Sequence, residues 1–142
     1  MASIRRSQHI AAQADDVWAL VGDAGRLAEW FPGLSDVTVE GTIRTVTLGS
    51  GIPLTEEIVT CDPISRRFAY SITGGLLRHH RGTIDVFDLG DGTTLVSYAT
   101  DAEPDVMALV IGGAAGAGLR NVKALLEHDS TSGATQLIEG NT

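Results

Sequence analysis

The pattern of apolar and polar positions changes twice along the chain. Residues 3–11 alternate loosely and predict a first strand, and residues 17–21 and 24–30 predict two short helices. Asp15 and Asp16 are expected to provide an N-cap and a negative first turn for the first helix, and Asp23 to cap the second. Helices this short are stable only when they dock on a larger surface.

The middle of the chain shows the alternation and the turn residues of a β-sheet. Six strands are predicted, at residues 36–40, 42–48, 54–61, 67–73, 78–89 and 94–102. The connections between them are too short for parallel crossovers, so the strands must pair antiparallel. A two-residue turn at 91–92 sets the register of the last hairpin. The partners that it predicts are Phe87 and Val96, Asp85 and Tyr98, and Ile84 and Ala99.

From residue 106 the apolar positions recur at helical spacing up to about His128, which predicts a long C-terminal helix. Its middle contains Gly112, Gly113, Gly116 and Gly118, each of which costs about 0.5–1 kcal/mol relative to alanine. A ligand cavity beside the helix, tight packing against a sheet or a second subunit, or a break in the helix would each explain this cluster. Residues 129–142 are rich in Ser, Thr and Gly and are expected to form a flexible tail, which leaves one domain at 1–128.

Composition and charge narrow the class of protein. The chain has 142 residues, of which 43% are hydrophobic and 20% charged, as expected for one globular domain. A net charge of -8 repels phosphate backbones, so nucleic acid is not expected as a partner. The single cysteine, Cys61, and the lack of a secretory pattern at the N-terminus predict a cytoplasmic location. The longest uncharged stretch, 106–119, has 14 residues, and stable membrane insertion is not expected.

The order of strand, two short helices, six strands and long helix resembles the START/Bet v 1-like (SRPBCC) superfamily, in particular its polyketide cyclase/dehydrase-like branch. The resemblance covers about residues 2–128. Its motifs are ADDVW at 14–18, WFP at 30–32, LTEE at 54–57, DP at 62–63, RFAY at 67–70 and GDGTT at 90–94. It implies an α+β helix-grip fold, in which a curved antiparallel sheet of about seven strands wraps around the long C-terminal helix.

Two residues are candidates for acid or base chemistry. Glu56 is in phase with Leu54 and Ile58, and the resemblance implies that it faces a cavity, where desolvation raises the pKa of a carboxyl group. The alternative is a surface carboxylate paired with Arg44 across the hairpin. His80 is in phase with Gly82 and the apolar positions that follow, and its alternative is an ordinary, partly exposed histidine. The flanking Arg78 and Arg81 form a small basic spot, interpreted either as a site for a carboxylate or phosphate headgroup or as strand-edge charges that discourage aggregation.

The predicted ligand-binding residues extend this pair. Tyr70 and Tyr98 supply hydroxyl groups, Trp30 lies near the pocket mouth, and the long helix contributes Met107, Val110, Ile111, Ala114 and Gly116. Asp85 and Tyr98 are expected to form a cross-strand pair, on either face of the sheet. No metal or cofactor is predicted, because adjacent residues such as His79 and His80 point to opposite faces of a strand and no nucleotide-binding fingerprint is present.

The expected function is binding of a small hydrophobic molecule, lipid-like or polyketide-like, in an internal cavity between the sheet and the C-terminal helix. The protein is expected to be a monomer or a homodimer. Two other classes stay open. One is a cyclase or dehydratase that uses cavity acid and base groups, and the other is a protein-interaction or chaperone-cofactor module.

Overall fold

The computed structural model describes the backbone of residues 1–139 and the side chains of residues 1–127. One antiparallel sheet of seven strands has the order β1-β7-β6-β5-β4-β3-β2. Its strands are β1 (Ala2–Ile10), β2 (Leu34–Glu40), β3 (Ile43–Leu48), β4 (Pro53–Asp62), β5 (Arg67–Thr73), β6 (His79–Asp88) and β7 (Thr94–Glu103). The helices are α1 (Ala14–Val21), a 3₁₀ helix (Ala24–Glu29) and α2 (Asp105–Glu139). The predicted α+β helix-grip fold is confirmed.

The start of α1 differs from the sequence prediction. Gln13 occupies the N-cap position and makes no side-chain cap hydrogen bond, so the expected N-cap at Asp15 and Asp16 is wrong, whereas the expected negative first turn is confirmed. The carboxylate of Asp15 instead accepts a 2.7 Å hydrogen bond from Arg66. The second cap is confirmed, because Asp23 accepts a hydrogen bond from the backbone N–H of Gly25.

The β6–β7 hairpin is shifted by one residue from the predicted register. Asp88 pairs with Thr94, so residues 89–93 form the connection instead of a two-residue turn. Gly90 and Gly92 adopt positive φ angles of 82° and 86°, which lengthen the turn. A shift of one residue moves a side chain to the other face of the sheet. The predicted partners of Phe87, Asp85 and Ile84 are therefore wrong.

Asp85 and Tyr98 consequently lie on opposite faces. The register places Ile84 opposite Tyr98 and Asp85 opposite Ser97. Tyr98 is buried in the concave side of the sheet, whereas Asp85 forms a 3.1 Å ion pair with Arg67 on the outer side. On this outer side Asp85 pairs with Arg67, whose side chain is exposed to solvent.

Helix α2 is the core helix of the fold and packs against β1 and β7. It continues without a break through its glycines, which rules out one explanation of the cluster. A Cβ atom at Gly112 would lie 3.0 Å from Ile4, and one at Gly118 would lie 3.1 Å from the Trp30 ring. The absence of side chains at these glycines therefore allows α2 to pack closely against β1 and Trp30.

The length of α2 also differs from the prediction. The helix extends to Glu139, past the expected end near His128. Residues 140–142 of the predicted tail lie outside the described residues, and the domain boundary at 128 stays a prediction. By length and composition Asp105–Glu127 also meets the criteria for a membrane-spanning helix, with a mean hydropathy of 1.2. In this fold the same stretch covers the sheet.

Candidate functional site

Strand register brings polar side chains from five strands to the concave face of the sheet. Arg44 on β3 lies opposite Glu56 on β4, and Tyr70 on β5 lies opposite Gly82 on β6. His80 on β6 and Tyr98 on β7 share that face and are buried. We call Arg44, Glu56, Tyr70, His80 and Tyr98 the polar cluster. Four of these five residues are candidates that the sequence identified.

Arg44 and Glu56 form a buried ion pair on β3 and β4, at one side of the cluster. Arg44 Nε donates a 2.6 Å hydrogen bond to Glu56 Oε1, and the two residues are 2% and 4% exposed. Arg44 Nη1 also donates to the carbonyl oxygen of Ala24 at 3.3 Å. Burial raises the pKa of Glu56, and the adjacent guanidinium limits that rise. Glu56 is thus an interior carboxylate that pairs with Arg44, so the pairing in the alternative interpretation is present and its surface position is wrong.

Tyr70 and Tyr98 join the ion pair to the other half of the sheet. Their hydroxyl groups are hydrogen-bonded to each other, and burial raises the pKa of both phenols. The guanidinium carbon of Arg44 lies 5.0 Å from the centre of the Tyr70 ring, within the range of a cation–π contact. Gly82 makes room for this arrangement, because a Cβ atom there would lie 2.5 Å from the Tyr70 ring. Both phenols are therefore neutral hydroxyl groups at physiological pH.

His80 is a neutral hydrogen-bond donor in this cluster. The backbone N–H of Ile72 donates a 2.9 Å hydrogen bond to His80 Nδ1, which assigns the proton of the neutral imidazole to Nε2. Burial lowers the pKa of His80 to about 4, and the neighbouring His79 and Arg81 contribute in the same direction. His79 itself is exposed.

Trp30 lies deeper than its predicted place at the pocket mouth. It is buried, and its ring centre is 6.1 Å from that of Tyr98. The Cε3 and Cζ3 edge of the indole faces Gly118 of α2. Nε1 is on the other edge of the ring.

Four buried side-chain atoms around the cluster have no hydrogen-bond partner within the described part of the chain: Trp30 Nε1, Arg44 Nη2, His80 Nε2 and Thr100 Oγ1. The three nitrogen atoms are donors only. Thr100 lies opposite Gly82 on β7, on the same face as the cluster. A buried donor without a partner costs about 1–3 kcal/mol, so these positions favour a bound group with acceptor oxygens.

Helix α2 contributes only part of its predicted residues to this region. Met107, Ile111 and Ala114 are half-buried and lie on the same side of the helix as Gly118, which faces Trp30. Val110 is 62% exposed on the outer side of the helix. Gly116 packs against β1, where a Cβ atom added to it would lie 3.4 Å from the side chain of Arg6. The structure thus separates Val110 and Gly116 from the polar cluster, because they lie on other sides of the helix.

The cluster lies close to one end of the sheet. Leu54 and Ile72 are on its concave side near that end and are only partly buried. Ile72 lies directly opposite Glu56 and donates its N–H to His80.

Arg44 is the main residue whose role sequence reasoning missed. The sequence suggested it only as a surface partner of Glu56, although it alternates in phase with Val46 and Leu48. That phase was the available signal for an interior position. Thr100 and Gly82 carried no comparable signal, because their contribution depends on the register of β6 and β7.

Other parts of the molecule offer weaker sites. A cleft of about 560 Å³ at the opposite end of the sheet is lined by Ala11, Ala12, Gln13, Asp16, Ala19, Gly92 and Leu126. The described residues contain no group of three or more His, Cys, Asp or Glu side chains able to hold a metal ion. Partial burial and nearby carboxylates raise the pKa of Cys61, which keeps its thiol protonated.

A curved antiparallel sheet that holds a long helix, with buried polar groups on its concave face, defines a START-type helix-grip protein. A sequence profile of the family described as polyketide cyclase / dehydrase and lipid transport matches residues 1–127. The chain belongs to this family. No functionally curated protein matches the sequence.

Solved structures show the same fold. The protein XoxI from Bacillus cereus has a TM-score of 0.82 and 23% identity, over 89% of this chain and 96% of that one. A START superfamily protein from Mycobacterium smegmatis has a TM-score of 0.76 and 13% identity, over 89% and 97%. The aromatase/cyclase ZhuI from Streptomyces sp. R1128 has a TM-score of 0.73 and 21% identity, over 89% and 93%.

Proposed function

We propose that the protein binds a small hydrophobic molecule, lipid-like or polyketide-like, between the concave face of the sheet and α2. The observation that carries this proposal is the set of three buried donors without partners among the described residues, Trp30 Nε1, Arg44 Nη2 and His80 Nε2. They surround the Tyr70–Tyr98 pair in an otherwise apolar and aromatic core. A ligand with an apolar skeleton and carbonyl or similar acceptor oxygens would satisfy both parts of this environment.

The lipid and polyketide classes come from the description of the family, and the aromatic lining favours a flat ligand. Trp30, Phe31, Tyr70 and Tyr98 form a chain of rings with centres 6.0–6.5 Å apart. Rings at such distances provide edges and faces for an aromatic guest. We also propose that the protein acts in the cytoplasm, in accord with its lone thiol.

Catalysis as a cyclase or dehydratase is the second candidate function. The burial of the Glu56 carboxyl group is the observation that favours it. Its pKa is raised by burial, and it is in the same cluster as two neutral phenols and a neutral imidazole. A carboxylate able to take a proton beside hydroxyl and N–H groups able to donate hydrogen bonds is the arrangement that enolisation and loss of water need. Turnover of a polyketide-like substrate, abolished by Glu56→Gln in protein that circular dichroism shows to be folded and retained by Glu57→Gln, would establish this activity.

A matched pair of ligands tests the binding proposal. The affinities of 1-tetralone and of tetralin, which lacks the carbonyl oxygen, are measured by isothermal titration calorimetry. Trp30→Phe removes one donor and keeps an aromatic ring, and it should weaken 1-tetralone binding about tenfold while tetralin binding stays within about twofold. Trp18→Phe on α1 is the control, because Trp18 lies outside the polar cluster.

Native mass spectrometry of protein purified from its own host provides the complementary measurement. A bound small molecule, recovered by organic extraction, would identify the ligand directly. An unliganded spectrum together with no affinity for either probe or for a panel of lipids and polyketides would overturn the binding proposal.

A further inference from the structure

The outer side of α2 is apolar where a solvent-facing helix is normally polar. We call Val106, Leu109, Val110, Gly113, Ala117 and Arg120 the outer face, because the 100° advance of each helical residue places them on one side. Val106, Leu109 and Val110 are 59%, 62% and 62% exposed. The sequence has no charged residue between Asp105 and Arg120. An exposed apolar surface of this kind marks an interaction site.

We propose that a second copy of this chain covers the outer face, with the two α2 helices antiparallel and a twofold axis at Gly113. In this arrangement Leu109 of each copy lies opposite Ala117 of the other. A large side chain thereby meets a small one on both sides of the axis. A Cβ atom at Gly113 would meet no heavy atom within 4 Å among the described residues, so the helices can approach closely at the axis.

Charge selects the antiparallel orientation. The same register places Arg120 of one copy opposite Val106 of the other, and Asp105 is the next residue along the helix. The Asp105 carboxylate is mostly exposed, and its contact in the monomer is a 3.2 Å ion pair with the N-terminal amine. An antiparallel pair brings Asp105 and Arg120 together twice, whereas a parallel pair brings like charges together. The net charge of -8 also disfavours an anionic lipid surface as the occupant.

The size of the outer face predicts weak association. From Asp105 to Arg120 the helix is roughly 22 Å long, and one helix face of that length buries a few hundred Å² per partner. A standard stable interface buries about 800 Å² per partner. The dissociation constant is therefore expected on the order of 10–100 µM.

Sedimentation equilibrium of the full chain from about 5 µM to 1 mM tests this proposal. The parent protein should pass from monomer to dimer across that range, and Leu109→Glu should weaken the association at least tenfold. Val59→Glu is the matched control, because Val59 is also an exposed apolar residue but lies on β4. Circular dichroism of each variant verifies that it is folded.

A charge exchange tests the orientation. Asp105→Arg and Arg120→Asp should each weaken the dimer about fivefold, and the double variant should restore it to within about twofold of the parent. A parent protein that remains monomeric at 1 mM would overturn the proposal. A dimer that persists in Leu109→Glu, or a double variant no better than the single ones, would do so as well.

Discussion

At the scale of single residues, His80 is the group that most directly couples the site to pH. Its imidazole accepts a hydrogen bond from the Ile72 N–H and is held neutral, with a pKa of about 4 against an ordinary value near 6.5. The unfolded chain therefore binds a proton more readily than the folded one between these two values. The contribution of His80 to stability is therefore fully present above pH 6.5 and is lost as the pH is lowered towards 4.

His80→Asn should flatten this pH dependence. Asparagine presents an acceptor oxygen near the position of Nδ1 and does not titrate, so the hydrogen bond from Ile72 is retained. The free energy of unfolding of the parent, measured in urea, should drop by about 2–3 kcal/mol between pH 7 and pH 4.5 more than that of the variant. His79→Asn is the control, since His79 is exposed, and it should keep the slope of the parent. Equal slopes in all three proteins would contradict the assignment.

The Arg44–Glu56 pair gives a second prediction at this scale. Glu56→Gln leaves the buried Arg44 charge without its counter-ion and should cost about 3–5 kcal/mol in the free energy of unfolding. Replacing both residues, as Arg44→Met with Glu56→Met, removes the charges together and should return the stability to within about 2 kcal/mol of the parent. Denaturant unfolding of the parent and both variants is the measurement. A Glu56→Gln variant as stable as the parent would show that the pair does not form.

Sequence reasoning at this scale identified the side chains but not their partners. Glu56, Tyr70, Tyr98 and His80 are candidates in the sequence, and the structure brings all four together on one face. Arg44 entered the sequence analysis only as the partner in the surface alternative for Glu56, and a charged side chain is rarely buried. Its burial depends on Glu56 from the next strand and on the Ala24 carbonyl, a combination that a local pattern does not contain.

At the scale of elements, the periodicity of apolar positions and the turn residues predicted nearly every strand and helix. The errors arose at the ends of these strands and helices. The β6–β7 connection has the Asp-Gly signal of a tight turn, but it contains residues 89–93. A second positive-φ glycine, Gly90, permits the longer loop and shifts the register by one. The predicted Asp85–Tyr98 pair failed for this reason, because the number of loop residues decides which face each side chain takes.

The glycines of α2 provide the prediction for this scale. Gly116→Ala should raise the melting temperature by a few degrees, because its new Cβ atom meets only the flexible side chain of Arg6 at 3.4 Å. Gly118→Ala gains the same helix propensity but places the Cβ atom 3.1 Å from the buried Trp30 ring. We expect no gain or a loss of stability there. Differential scanning calorimetry measures the melting temperatures of the two variants. Equal stabilisation would mean that the Trp30 ring moves aside without loss of stability.

At the scale of the whole molecule, the helices cover the sheet unevenly. Helix α2 packs on β1 and β7, and the shorter α1 contacts β6. At the other edge, β2 contacts the 3₁₀ helix and most of its residues are exposed. The polar cluster lies between these two halves, from β3 to β7. The site therefore joins a well-covered half of the sheet to a poorly covered one.

This asymmetry predicts an order of local opening that hydrogen–deuterium exchange can measure. Amide groups of β2 and β3 should exchange first, because an exposed edge strand opens at a lower free energy than strands under a long helix. Amide groups of β6 and β7, which are interior strands of the sheet, should be the slowest. A ligand bound at the polar cluster contacts β3 and β4 through Arg44 and Glu56, so it should slow exchange at Ile43–Leu48 and Pro53–Asp62 more than in β1. Uniform protection of the sheet by 1-tetralone, or protection confined to residues 11–19 beside the opposite cleft, would place the ligand elsewhere.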